Sequence, residues 1–251
     1  MKRHLLIFSL FLSLGICSPA IAWHDATHMA VIRAAGLDDY AYLAVGPDMA
    51  KEKSGGYEEG NHYRGNAKGV VVTADMVLDQ VRDYNCRCND EGHLYGAIIA
   101  ALNQYRERKS KKDKQARYPL GFAGHYIADL SMPLHNTAYN DFNKAWHSAN
   151  DGAVEGDESE PTDARVARIA AGIRERMNRL TPCRFPAAKD DPAKFNLELA
   201  KKIAEIANRA MALGYAMQEA NPQKTVMSSD EAYGQLAESA ALLKAAFAAQ
   251  Q

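Results

Sequence analysis

Apolar residues recur at intervals of three and four along most of the chain, the spacing of amphipathic helices. Stretches in which apolar and polar residues alternate, as they do in half-buried strands, are nearly absent. The pattern predicts an all-α fold in one multi-helix domain, with no internal repeat. Helices are expected over residues 26–35, 73–84, 90–105, 120–130, 146–151, 163–180, 192–219 and 229–249.

Three polar stretches separate these predicted helices. Residues 37–67, rich in Gly, Asp and Glu, and the acidic stretch 152–161 are predicted to be loops. Residues 106–117 include seven basic and two acidic side chains. This run is predicted to be a solvated helix end and linker, and contact with an anionic substrate or surface is the alternative.

The first 22 residues have the pattern of a secretory signal peptide. Lys2 and Arg3 precede an apolar run over residues 5–16, and residues 20–22 give the small-x-small motif that signal peptidase cuts after. The expected mature domain therefore spans residues 23–251 and is secreted or periplasmic. An uncleaved membrane anchor is the alternative, but no stop-transfer pattern follows the apolar run.

Charge and cysteine content narrow the function further. A formal net charge of −1 does not favour bulk attraction to nucleic acid or to a membrane surface. Cys86, Cys88 and Cys183 follow the predicted cleavage site, and in an oxidising compartment one disulfide is expected, between Cys183 and either Cys86 or Cys88. A metal site at the C-x-C motif is the weaker alternative.

Two His-x-x-x-Asp pairs carry the clearest chemical signal. His125 and Asp129 would project from one face of an apolar helix, where an aspartate is costly unless its charge is compensated. His147 and Asp151 repeat the spacing, and His135 lies between the pairs. A single pair is equally consistent with a structural hydrogen bond, but the repeated pattern favours a metal site. Nitrogen and carboxylate ligands without cysteine are typical of hydrolytic zinc.

Further candidate ligands lie upstream of these pairs. Asp48 follows a proline, and His62 lies in the same predicted loop. After cleavage, Trp23 would carry a free α-amine near His28, and an amine with a pKa near 8 can lose its proton and bind metal.

The whole pattern runs Trp-x4-His, Asp…His, His-x3-Asp-x5-His and His-x3-Asp, over residues 23–151. It resembles the trinuclear-zinc phosphodiesterases, which include bacterial zinc-dependent phospholipases C and single-strand-specific zinc nucleases. The resemblance implies an all-α domain with three zinc ions. The implied ligand sets are Asp48, His62, His125 and Asp129; His28 with the amine and carbonyl of Trp23, sharing Asp129; and His135, His147 and Asp151. His24 and His93 match no ligand position and are expected at the surface or behind the ligands.

The implied reaction is in-line attack of zinc-activated hydroxide on phosphorus. Asp129 would bridge two ions, and Asp48 would orient or deprotonate the attacking water. A phospholipase C-like enzyme acting on phospholipid head groups is the first hypothesis, with transient membrane-surface contact and no stable protein partner. A nuclease or 3′-nucleotidase is the second hypothesis, and a non-catalytic zinc-binding protein is the third.

The spacing of the motifs does not decide between phospholipid and nucleic acid. The short step from Trp23 to His28 and the aspartate at position 151 are nuclease-like. The steps from Asp48 to His62 and from His135 to His147 are closer to those of the phospholipases. Three aromatic residues near these ligands modestly favour a head-group pocket, although packing roles are more common for such residues: Tyr57, Tyr139 and Phe142.

Overall fold

A computed structural model describes residues 23–157 and 159–251, so the predicted signal peptide lies outside the described residues. The described chain is all-α, as predicted, and an isolated bridge between Asn66 and Thr137 is its sole strand-like pairing. No helix in this part of the chain has both the length and the apolar character needed to cross a bilayer. The helices are α1 (Asp25–Ala34), α2 (Gly46–Lys53), α3 (Ala74–Asp79), α4 (Leu94–Ser110), α5 (Arg117–Leu130), α6 (Asp141–Asp151), α7 (Thr162–Met177), α8 (Pro192–Glu219) and α9 (Ser229–Ala249).

Helix α5 lies at the centre of the molecule and contacts α1, α4, α8 and α9. Two of its glycines permit this close packing. A Cβ atom on Gly121 would lie 2.3 Å from the Cβ of Leu43, and one on Gly124 would lie 2.6 Å from Ile32 Cδ1. Because the helix is buried, its polar side chains are held away from solvent at fixed positions.

The predicted loop over residues 37–67 contains helical structure, so that prediction was wrong in part. A 3-10 helix spans Asp38–Val45, α2 follows, and a short 3-10 turn spans Glu59–Asn61. Pro47 lies in the first turn of α2, where its missing N–H costs no helical hydrogen bond. The acidic composition of the segment concealed this start signal.

Helix α6 begins earlier than its apolar pattern indicates. The side chain of Asn140 accepts a hydrogen bond of 3.1 Å from the backbone N–H of Asn143 and so caps the helix. The extra turn at the start of α6 brings Asn143 within reach of His147. The basic run 106–117 forms the last turn of α4, a linker and the start of α5, as expected.

The disulfide prediction was wrong in its partners. Cys86 pairs with Cys88, and Cys183 is a half-buried free thiol. Asn85 adopts a left-handed conformation with φ of 58°, which turns the chain directly before the two cysteines and allows residues only two apart to meet. The disulfide therefore joins two cysteines that are close in the sequence, and the expected long-range pairing with Cys183 does not form.

Candidate metal centre

Asp129 lies at the centre of a cluster of buried histidines. Its Oδ2 atom is 3.2 Å from His125 Nε2 and 3.2 Å from His62 Nδ1. Its Oδ1 atom is 3.5 Å from His28 Nε2 and 3.4 Å from His135 Nδ1. The side chain is fully buried, so one carboxylate faces two different pairs of imidazoles away from water.

Separate elements bring these side chains together. Helix α5 presents His125 and Asp129 from one face, one turn apart, as their spacing predicts. The remaining contributors are His28 on α1, Asp48 on α2, His62 after the 3-10 turn Glu59–Asn61, His135 at the end of the 3-10 turn Pro133–His135, and His147 and Asp151 on α6. All eight predicted His and Asp ligands therefore converge.

These side chains form three groups, each of which can hold a metal ion. Within each group the ligand atoms lie within 4.8 Å of one another. The groups are Asp48, His62 and His125; His28, His125 and Asp129; and His135, His147 and Asp151. The first two share His125, whose ring stacks on that of His28 with centroids 3.7 Å apart.

Several buried polar atoms in the centre have no hydrogen-bond donor or acceptor among the described residues. They include both ring nitrogens of His28, Oδ2 of Asp48, Oδ1 of Asp129 and both carboxylate oxygens of Asp151. Buried polar groups without partners are costly, and metal coordination satisfies nitrogen and carboxylate atoms together. The donor set therefore fits bound cations.

Neighbouring groups orient the imidazole rings. His125 Nδ1 lies 2.6 Å from the carbonyl oxygen of Ala44, so it carries the proton and leaves Nε2 as a lone-pair donor. His147 Nδ1 lies 2.7 Å from Asn143 Oδ1, which orients its Nε2 in the same way towards Asp151, 3.4 Å from Oδ2. Second nitrogens held by acceptors are typical of metal-ligating histidines.

Burial shifts the titration of these groups. It raises the pKa of Asp129 to about 6 and lowers the pKa of His147 to about 4. Burial acts to lower the pKa of His125, but the carboxylates of Asp129 and Asp48 outweigh it and leave that pKa raised. The pKa is also lowered by burial for His28, His62 and His135. Neutral imidazoles are the form that binds metal.

Trp23 is fully buried beside the centre. Its indole N–H donates a 3.1 Å hydrogen bond to the carbonyl oxygen of Ala128, the residue before Asp129. This contact holds the start of the described chain against α5. Ligation through the amine and carbonyl of Trp23 stays a prediction.

Glu155 anchors the same segment and was not singled out from the sequence. It accepts hydrogen bonds from the backbone N–H of Thr27 at 3.0 Å and from its hydroxyl at 2.6 Å. Its other oxygen lies 3.3 Å from Arg165. Thr27 precedes His28, so Glu155 ties α1 to the turn that follows Asp151. Its acidic surroundings in the sequence gave no signal for this role.

Lys51 is a second residue that sequence reasoning missed. Its Nζ lies 3.0 Å from Asp48 Oδ1, one turn further along α2. It also lines the cleft above the centre. Pro47 is a helix-start signal, and a helix that begins there puts Lys51 three residues after Asp48 on the same helical face.

The two unassigned histidines lie outside the three groups. His93 is fully buried and not at the surface, with its Nε2 2.9 Å from Asn61 Oδ1. Because Asn61 precedes His62, His93 supports the segment that presents a candidate ligand. His24 is half-buried near Gly152.

A cleft of about 590 Å³ opens over the centre. His62, His135 and His147 are at its base. Tyr139, one of the three predicted aromatics, lines it and is 59% exposed. Tyr57 instead lies under Arg87, and Phe142 is buried in the apolar core. The charged side chains that line the cleft are Lys51, Glu59, Asp90 and Glu91, and Tyr63 is a second aromatic residue in its lining.

Comparison with known proteins leaves the relationship to any family open. No protein-family model matches the chain, and no curated protein matches it significantly.

Proposed function

We propose that the protein is a zinc-dependent phosphodiester hydrolase of the phospholipase C type. The observation that carries the proposal is the position of Asp129, whose two oxygens face different pairs of histidines. One of these histidines, His135, also belongs to the third group. Bridging carboxylates of this kind hold paired cations. Zinc is the favoured ion because the ligands are imidazoles and carboxylates, without thiolates.

When bound, zinc would lower the pKa of a coordinated water molecule and neutralise negative charge on a phosphate. The chain's own groups complement this chemistry. Asp48 is adjacent to the cleft-lining Lys51, with Oδ1 on its ammonium group and Oδ2 without a hydrogen-bond partner among the described atoms, and we assign it the role of accepting a proton from water. The ammonium group of Lys51 attracts a phosphate to its side of the cleft.

The rim of the cleft favours a substrate that carries a positive charge beside its phosphate. Among the described lining residues Lys51 has the one Lys or Arg side chain, whereas Glu59, Asp90 and Glu91 are acidic. Arg64 neutralises Glu91 at 2.8 Å, but none of the ion pairs among the described residues involves Glu59 or Asp90. With Tyr63 nearby, these carboxylates suit an ammonium head group and disfavour a polyanion.

A nuclease or 3′-nucleotidase is the second candidate. The aspartate at position 151 and the short spacing from Trp23 to His28 favour it. Against it, none of the seven basic residues of the run 106–117 lines this cleft. The choice between the two candidates is therefore a question of substrate charge.

The test offers zinc-loaded protein beginning at Trp23 a phosphatidylcholine, single-stranded DNA and single-stranded RNA side by side. We expect phosphocholine to be released and both nucleic acids to persist. Turnover of nucleic acid alone would establish the second candidate. Three bound zinc ions without turnover of any substrate would favour a zinc-binding protein.

A charge variant tests the role of the rim. Glu59→Gln with Asp90→Asn should lower kcat/KM for phosphatidylcholine about 3- to 10-fold, as expected for weakened ion and cation–π contacts at an exposed site. Activity on phosphatidylglycerol, whose head group lacks the cation, should not fall. The matched control is Asp39→Asn with Glu175→Gln, which removes two exposed carboxylates elsewhere. An equal loss in the control would contradict the assignment.

A further inference from the structure

A second cleft lies at the far end of the α4–α5 hairpin. It has a volume of about 370 Å³ and is called the basic cleft here; its charged and aromatic lining is Lys109, Lys112, Lys114, Arg117 and Asp113 with Tyr40, Tyr105 and Phe247. The start of α4 lies near the metal centre through His93, and Lys109 is fifteen residues further along the helix. At 1.5 Å per residue this is about 20 Å along α4, and on α5 the cleft residue Arg117 is eight residues, or about 12 Å, from the candidate ligand His125.

The cations of the basic cleft are not cancelled by nearby acids. Lys111 pairs with Glu107, and Arg108 pairs with Asp113, so the two carboxylates of the run are already engaged by other residues. Among the described side chains, none of the ion pairs includes Lys109, Lys112, Lys114 or Arg117. With four basic side chains against the one carboxylate of Asp113, the lining of the cleft retains a net positive charge.

Two further features bear on anion binding at the cleft. Helix α5 begins at Arg117, on the border of the cleft, and a helix N-terminus is favourable for an anion. Burial, with the positive charge of Lys189 nearby, lowers the pKa of Lys109. Crowded cations of this kind gain stability when an anion binds between them.

The floor of the basic cleft is aromatic. The ring centroids of Tyr105 and Phe247 are 6.2 Å apart, and those of Tyr40 and Phe247 are 6.1 Å apart. The ammonium of Lys109 lies 5.7 Å from the centre of the Tyr105 ring. An apolar floor beneath cations suits a ligand with one flat apolar part and one anionic part.

We propose that the basic cleft binds a small phosphate monoester with a planar organic group, of mononucleotide size, independently of the metal centre. Lys112, Lys114 and Arg117 contact the phosphate, and the planar group rests on Tyr40 and Phe247. A membrane contact through the same cations is the competing occupant, and vesicle sedimentation distinguishes it from ligand binding. The proposal does not depend on the hydrolytic function.

Calorimetric titration of the zinc-loaded protein with adenosine 5′-monophosphate, inorganic phosphate and adenosine tests the site. The monophosphate should bind at least about tenfold more tightly than either part alone, because cations and rings act together. Lys112→Ala with Lys114→Ala and Arg117→Ala should weaken its binding about tenfold or more. Equal affinity for inorganic phosphate, or unchanged binding in this variant, would overturn the proposal.

Two controls assign any binding to the correct place. Lys68→Ala with Arg179→Ala and Lys201→Ala removes three exposed cations elsewhere and should leave binding unchanged. Asp129→Asn, which alters the metal centre, should also retain binding.

Loss of binding in Asp129→Asn alone would place the ligand at the metal centre. Sedimentation with phosphatidylglycerol vesicles that depends on the three basic-cleft cations, without monophosphate binding, would identify a membrane contact instead. If the triple variant does not fold, Lys114→Ala alone must weaken binding measurably, or the proposal is wrong.

Discussion

Asp151 and Glu155 are four residues apart and both buried, yet their surroundings differ. Glu155 receives two hydrogen bonds from Thr27 and an ion pair from Arg165. Neither oxygen of Asp151 has a hydrogen-bond donor among the described residues, and its nearest polar neighbours are the ring nitrogens of His135 and His147. Burial raises the pKa of Asp151 well above its usual value.

The difference separates a structural carboxylate from a candidate ligand. Burial alone does not indicate a metal, because protein donors can satisfy a buried carboxylate, as they do for Glu155. An unsatisfied carboxylate facing neutral imidazoles is instead suited to binding a cation. Asp129 has this second kind of environment on its Oδ1 side.

Asp129→Asn should have the largest effect on metal content. Its two oxygens face two histidine pairs, so the amide should reduce zinc content by more than one ion per chain. Elemental analysis of purified protein measures this loss. A decrease of one ion or none would show that Asp129 does not bridge.

Asp151→Asn should remove a single ion. The variant retains the groups around Asp129, so the other two sites remain. Because it also removes a buried carboxylate without donors, metal-free Asp151→Asn should be as stable as the metal-free wild type or more stable in urea denaturation. A strongly destabilised metal-free variant would mean that Asp151 is structural, like Glu155.

One extra residue before Trp23 should weaken a single site without abolishing it. The added residue removes the free amine at Trp23, and we expect zinc affinity at the site of His28 to fall about 10- to 100-fold, the range for altered ligand support. Competition with a zinc-binding dye measures the affinity. Unchanged affinity would refute the amine as a ligand and would leave the His and Asp ligands intact.

Glu155→Gln should destabilise the fold and leave metal content nearly unchanged. Loss of the charge weakens the bonds to Thr27 and the ion pair with Arg165, at a cost of about 2–3 kcal/mol. The loss should be similar in zinc-loaded and metal-free protein. If Glu155→Gln instead lowers the zinc content while the stability of the metal-free protein is unchanged, Glu155 is not the structural carboxylate that we contrast with Asp151.

The sequence predicted which His and Asp side chains lie close together better than it predicted the bounds of the helices that carry them. Spacing of four places His125 with Asp129, and His147 with Asp151, on single helical faces, and both pairs are confirmed as neighbours. The segment that carries Asp48 was assigned to a loop because its composition is polar, although Pro47 marks a helix start. Lys51 was missed for the same reason.

Other features depend on contacts that spacing does not encode. Glu155 meets Thr27 across 128 positions in the chain, so local pattern gives no indication of the bond. The pairing of Cys86 with Cys88 lies next to the left-handed residue Asn85, a backbone conformation that spacing does not encode. Sequence patterns capture short-range periodicity, whereas these outcomes depend on tertiary geometry and on local backbone conformation.

The chain's two tryptophans provide an optical consequence of the buried indole at Trp23. Trp23 touches the carbonyl before Asp129, and Trp146 directly precedes His147. Both fluorophores therefore adjoin candidate ligands, and both pack in the same apolar cluster. Intrinsic emission excited at tryptophan wavelengths should report the occupancy of that centre directly, without an attached dye.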